Sequence, residues 1–163
     1  MVSAGRLHEL YDIDLDQGIF RHKRAIGRAK KGNRAGYVAK KSGYRVLCVD
    51  RVDYFEHNLV WFLSNGSWPQ EGYEVDHKDR IRDNNGRSNL RLATRSQNNA
   101  NMKLRKDNRA GFRGMHFNNE KQKFCVQVTK DGKTHSLGYF ESLEAAAEAS
   151  LRVRKQLFGE FAT

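Results

Sequence analysis

Asp76 and His77 stand side by side, Asn89 follows, and Asn98 and Asn99 close the run. Hydrolysis of a phosphodiester needs a base to activate water and a cation to offset charge on the phosphate. Imidazole is the usual base near neutral pH. A carboxylate and a neutral amide oxygen are suitable hard ligands for Mg²⁺, which keeps several waters and takes few protein ligands. Adjacent residues at a strand end point to opposite sides. One of the pair can therefore hold metal while the other faces the attacking water. Asn98, one turn into a following helix, is placed to return to the strand and complete a metal site. Asn99 is its neighbour, and spacing alone leaves that alternative open. On residue types alone a plainer reading also stands, in which the Asp-His pair is structural and the Asn-rich stretch is a turn.

The elements that must position these groups follow from the flanking pattern. Tyr73–Asp76 is strand-like, residues 77–88 form a polar loop dense in Asp, Asn and Arg, and Asn89–Ala93 is strand-like again. Thr94 can cap a helix from about Arg95 to Leu104, with Lys103 and Arg105 suited to its negative end. Upstream, Leu7–Ile13 and Gly18–Arg21 read as short strands around an acidic turn, and Gly36–Ala39 and Tyr44–Val49 as a hairpin closed by Lys41–Gly43. The helical spacing of Phe55, Leu59, Phe62 and Leu63 predicts a helix over Tyr54–Ser64, stopped at Asn65-Gly66. His57 reads as a packed or surface residue rather than a ligand, and Trp61 and Phe62 as core. Downstream, Phe112–Asn118, Lys123–Lys130 and Thr134–Phe140 predict three strands. The Asp131-Gly132 pair is a strong hairpin signal, and Ser142 caps a helix over Leu143–Phe158 that Gly159 ends.

These elements sit in a chain of 163 residues with 30 Lys+Arg against 19 Asp+Glu, a formal net charge of +11 and a sequence pI near 9.9. Such an excess makes a polyanion the first partner to consider, with nucleic acid ahead of a membrane surface. Mean hydropathy is −0.82, and no apolar run approaches the roughly 18 residues of a spanning helix, so no membrane partner is expected. The start lacks the basic-then-apolar order of a secretory signal, so a cytoplasmic location is expected. Cys48 and Cys125 are distant and form no CxxC pair, against a zinc ribbon or a disulfide framework. Residues 1–70 hold 12 basic and 7 acidic groups, residues 71–105 hold 8 and 5, and residues 106–163 hold 10 and 7. That spread suits a long polyanion touching several surfaces. The densest cluster is Arg28, Lys30, Lys31 and Arg34, which reads either as phosphate contact or as a solvated loop.

VDHKD at 75–79, NN at 84–85, SNLRLAT at 88–94 and QNNAN at 97–101 resemble the core of HNH endonucleases, in the His-Asn-Asn variant of phage and intron-encoded homing enzymes. The match covers about thirty residues. Tyr44-Arg45, His57–Trp61 and Trp68-Pro69 resemble the segment usually found upstream in these enzymes. The resemblance implies a ββα-metal fold, His77 as general base, Asp76 and Asn98 as metal ligands, and Asn89 as the middle Asn that holds the loop and orients the His. Asn85 is a second candidate for bracing that loop. With Asn98 in place of the final His, Mg²⁺ is favoured over Zn²⁺, with Mn²⁺ as the alternative.

The last third is similar to the three-stranded DNA-binding domain of plant ethylene-response factors, through Arg113–Met115, Lys123–Val126, Leu137–Phe140 and the Ala-rich helix. That likeness implies a sheet laid in the major groove, with Arg113 and His116 on the first strand and Lys123 and Gln127 on the second as contacts. The fold expected is α+β. It has a β-rich region at 1–70 with a closing helix, a nuclease core at 71–105, and a three-stranded antiparallel sheet packed on one helix at 106–163. The function expected is a metal-dependent homing-type endonuclease on double-stranded DNA, a monomer or homodimer that nicks one strand per active site. The rival is a DNA-binding regulator that has lost catalysis.

Overall fold

The computed structural model of the protein describes residues 1–104, 108 and 110–162. Arg105, and the expected boundary between residues 105 and 106, lie outside them. The chain is a mixed α/β protein with small antiparallel sheets and, among the described residues, four α-helices. It divides into two compact units, 1–93 and 94–163.

The first unit begins with a helix where the residue pattern predicts a strand. Helix α1 spans Ala4–Leu10, and the Ser3 side chain caps it by accepting the Arg6 N–H at 3.2 Å. Leu7 and Leu10 are both buried. Three residues apart, they share a helix face but would point to opposite faces of a strand, so burying both selects the helix. Strand β1 (Tyr11–Asp14) then pairs antiparallel with β2 (Ile19–His22). Strands β3 (Tyr37–Val38), β4 (Arg45–Val49) and β5 (Val52–Phe55) form a sheet in the order β3-β4-β5.

Helix α2 is Glu56–Asn65, two residues shorter at its start than its apolar spacing predicts. Tyr54 and Phe55 belong instead to β5, where they pair with Leu47 and Val46. Beyond α2, β6 (Tyr73–His77) pairs with β7 (Leu90–Thr94). The loop between them ends in a 3₁₀ turn at Arg87–Asn89. The core gathers Leu7, Phe20, Leu47, Leu59, Val60, Val75 and Leu90, side chains whose full burial stabilises by roughly 1.5–3 kcal/mol each. Val75 anchors β6 in that core directly before Asp76 and His77.

The second unit opens with α3 (Arg95–Asn101). The Thr94 hydroxyl accepts the Gln97 N–H at 3.3 Å and the Gln97 side chain accepts the Thr94 N–H at 2.8 Å, a complete capping box. The helix stops at Asn101, short of the expected Leu104. Strands β8 (Met115–Asn118), β9 (Lys123–Lys130) and β10 (Lys133–Phe140) form an antiparallel sheet in the order β10-β9-β8. Asp131 and Gly132 both take positive φ in the turn between β9 and β10, the conformation that an Asp-Gly pair favours. Helix α4 (Leu143–Phe158), capped by Ser142, lays Ala146 against Met115 and Val126.

Strand β8 starts three residues later than its sequence suggests. A Cβ on Gly114, whose φ is +67°, would sit 2.5 Å from the Gln127 carbonyl oxygen. Only glycine permits that approach, and the chain turns there before pairing begins at Met115.

Candidate active site

At the end of β6 the two neighbouring side chains have separate partners. The Asp76 carboxylate accepts from Arg91 Nε on β7 at 3.0 Å, and both side chains are buried. His77, also buried, meets the Asn85 side chain, with Nε2 2.8 Å from Oδ1. Its ring lies 5.9 Å from that of Tyr44 and 5.1 Å edge-on from that of His57, measured between centroids. Burial, reinforced by the neighbouring His77, depresses the His57 pKa to about 3. His57 is therefore a neutral wall of the site.

The loop that follows His77 is closed by Asn89. The Lys78 N–H donates to the Asn89 carbonyl at 2.9 Å, and the Asp79 N–H to Asn89 Oδ1 at 3.1 Å. Asn89 Nδ2 in turn donates to Asp79 Oδ1 at 3.0 Å and to the Asn84 carbonyl at 2.8 Å. Asp79 also accepts from the Ile81 N–H and from Asn84 Nδ2. Desolvation raises the Asp79 pKa, but these hydrogen bonds outweigh it and hold the carboxyl below its usual range. Asn89 thus ties both ends of the loop to its middle.

Beneath His77 lies a layer that residue spacing in the motif does not reveal. Asn85 and Glu56 are fully buried. Asn85 Nδ2 donates to Glu56 Oε1 at 2.9 Å, and Arg34 Nη2 donates to the same oxygen at 3.0 Å. Arg45 Nε is 3.8 Å from Glu56 and 2.9 Å from Asp83. Burial pushes the Glu56 pKa up, while Asn85, Arg34 and Arg45 oppose the rise. One sequence signal was available. Glu56 is three and four residues before Leu59 and Val60, on the helix face that the core buries, and an acid there needs partners.

The N-terminal hairpin supports this loop from outside. The Arg87 N–H donates to the Leu15 carbonyl at 2.9 Å and Arg87 Nε to Asp16 at 2.7 Å. Gly18, at φ +63°, packs so closely that an added Cβ would lie 2.2 Å from the Asn85 carbonyl carbon. Gly18→Ala combines left-handed strain with a backbone clash, and is expected to destabilise the protein by roughly 2–4 kcal/mol. A urea titration followed by tryptophan fluorescence measures this, and an unchanged midpoint would contradict the packing.

The remaining candidates are distributed as follows. Arg28, Lys30 and Lys31 are exposed in the turn after β2, whereas Arg34 is held on Glu56. Asn98 is half-buried on α3, in the second unit, and Asn99 beside it is exposed. His116, Lys123 and Gln127 share the sheet face opposite to Met115 and Val126, by the pairings His116–Cys125 and Asn118–Lys123. His116 and Gln127 are exposed, and Lys123 Nζ is 3.1 Å from Glu141. Arg113 precedes β8 rather than lying on it, and its carbonyl accepts the Ser150 hydroxyl at 2.7 Å.

Among the described residues no three His, Cys, Asp or Glu side chains cluster as a metal cage. Asp76 is a buried carboxylate, an oxygen donor of the kind that divalent cations take.

Residues 54–100, which include Asp76, His77 and the loop closed by Asn89, match the HNH endonuclease family. The chain belongs to that family and is a nuclease, and membership implies activity on DNA. It is 38% identical over 106 residues to protein 3.8 of Escherichia phage T7, a match covering 65% of this chain and 86% of that protein. It is 39% identical over 123 residues to a mimivirus protein from Acanthamoeba polyphaga mimivirus named as an uncharacterized HNH endonuclease, covering 75% of this chain but 62% of that one. No solved structure gives a significant match.

Proposed function

We propose that the protein is a metal-dependent, homing-type endonuclease that hydrolyses phosphodiester bonds in double-stranded DNA, nicking one strand per active site. The observation that carries this reading is the division at the end of β6, where Asp76 and His77 are both buried and engage different partners. His77 takes a proton from water, the resulting oxygen forms a bond to phosphorus, and the bond from phosphorus to the 3′ oxygen breaks, that oxygen taking up a proton from solvent. The products carry a 5′ phosphate and a 3′ hydroxyl. By the resemblance, Asp76 and Asn98 would hold Mg²⁺ or Mn²⁺, which would supply positive charge to offset that of the phosphate. Asn89 keeps the loop closed so that the His77 ring does not swing.

The ββα-metal arrangement of residues 71–105, and an ethylene-response-factor-like role for residues 106–163, belong to the same proposal. So does a β-rich platform at 1–70. The open sheet face with His116, Lys123 and Gln127, together with Arg113 and the turn bearing Arg28, Lys30 and Lys31, meets DNA. Action as a monomer or homodimer, in the cytoplasm of a bacterial host if the gene is phage-borne, completes the reading. Incubating the wild-type protein with supercoiled plasmid, Mg²⁺ and then excess chelator tests it. Open circles that form with metal and not with chelator are expected. Retained DNA binding with no cleavage in Mg²⁺ or Mn²⁺ would favour a DNA-binding regulator instead.

A further inference from the structure

We propose that Glu56, acting through Asn85, fixes the His77 proton on Nε2 and thereby makes Nδ1 the nitrogen that accepts the proton of the attacking water. This rests on the reading of His77 as the base and adds a positioning residue from outside the Asp76–Asn98 motif.

Hydrogen-bond polarity decides the tautomer. Glu56 Oε1 already accepts from Arg34 Nη2 at 3.0 Å, and a guanidinium can only donate. That oxygen is therefore an acceptor, and the amide end 2.9 Å away must be the Asn85 NH₂. An amide with its NH₂ committed to Glu56 presents its oxygen to His77, 2.8 Å from Nε2. The amide oxygen only accepts, so Nε2 must carry the hydrogen. A flipped Asn85 would set its oxygen against the Glu56 oxygen, losing that bond in a site where Glu56 and Asn85 are fully buried. The same three-group logic, an acid orienting a second group that orients the base, recurs wherever an imidazole must present one chosen nitrogen.

Two measurements on the full-length protein test it. Long-range ¹H–¹⁵N correlation spectra of histidine-labelled protein report which His77 nitrogen is protonated. The wild type is expected to show protonated Nε2 and bare Nδ1. In Glu56→Leu no oxygen remains to take the Asn85 NH₂, so Asn85 loses its fixed orientation. A mixture of His77 tautomers is expected there, with kcat lowered between about 10- and 100-fold and the DNA Kd within about twofold of wild type. A wild-type spectrum with the proton on Nδ1 overturns the inference, and that spectrum decides even where Glu56→Leu fails to fold. A folded Glu56→Leu protein with a single Nε2–H tautomer and wild-type kcat also overturns it. Wild-type cleavage by His77→Ala, beside the expected wild-type spectrum, would overturn the base assignment while leaving the hydrogen-bond relay in place.

Discussion

His77→Ala is expected to lower the rate of DNA cleavage by at least about a thousandfold, at the upper part of the range for removing a general base. DNA affinity is expected to stay within about threefold, because His77 acts on the attacking water while the exposed basic groups Arg28, Lys30 and Lys31, proposed to hold the backbone, are untouched. The substitution also leaves Asn85 Oδ1 buried without its partner, at a cost on the order of 1–3 kcal/mol. His77→Gln serves as the companion variant, since its NH₂ can still donate to Asn85 while its amide cannot act as a base. Loss of cleavage in both variants, with the Gln variant melting closer to wild type, separates chemistry from folding.

The second large effect is expected at Asp76. Asp76→Ala would remove the carboxylate that lies 3.0 Å from the buried Arg91 and is expected to cost stability as well as a metal ligand. Asp76→Asn keeps the shape and an oxygen for Arg91 and is the cleaner test. It is expected to weaken Mg²⁺ or Mn²⁺ binding at least about tenfold by calorimetry and to reduce cleavage on the order of 100-fold at fixed metal. Partial recovery at high Mn²⁺ would accord with a weakened ligand. Unchanged metal affinity and cleavage would remove Asp76 from the metal site.

The sequence was most informative where function and local geometry coincide. Asp76, His77 and Asn89 stand at fixed offsets around one short loop, and the resemblance of the runs that hold them, VDHKD and SNLRLAT, rather than their types alone, points to one reaction class. Thr94 and Ser142 begin helices where capping chemistry places them, and the turn at Asp131-Gly132 follows from its two residues. Where tertiary pairing overrides local pattern, the reading drifts. Tyr54 and Phe55 fit the spacing of α2 but are claimed by β5, and Leu7 and Leu10 are drawn into a helix by burial on one face. The layer beneath His77 was hidden for a different reason. Arg34, Glu56 and Asn85 come from three separate elements, and only the fold puts their side chains within hydrogen-bonding distance. Arg34 illustrates the consequence. As one of four basic residues in a stretch it reads like its neighbours, yet it faces inward to a buried carboxylate while Arg28, Lys30 and Lys31 stay exposed.

The most direct measurement compares single-turnover cleavage of duplex DNA by the wild-type and His77→Ala proteins in Mg²⁺, with DNA binding measured on the same samples. If His77 is the base, equal occupancy of DNA is expected, with a cleavage rate for His77→Ala at or near the background without protein. A folded His77→Ala protein that cuts at the wild-type rate would contradict it.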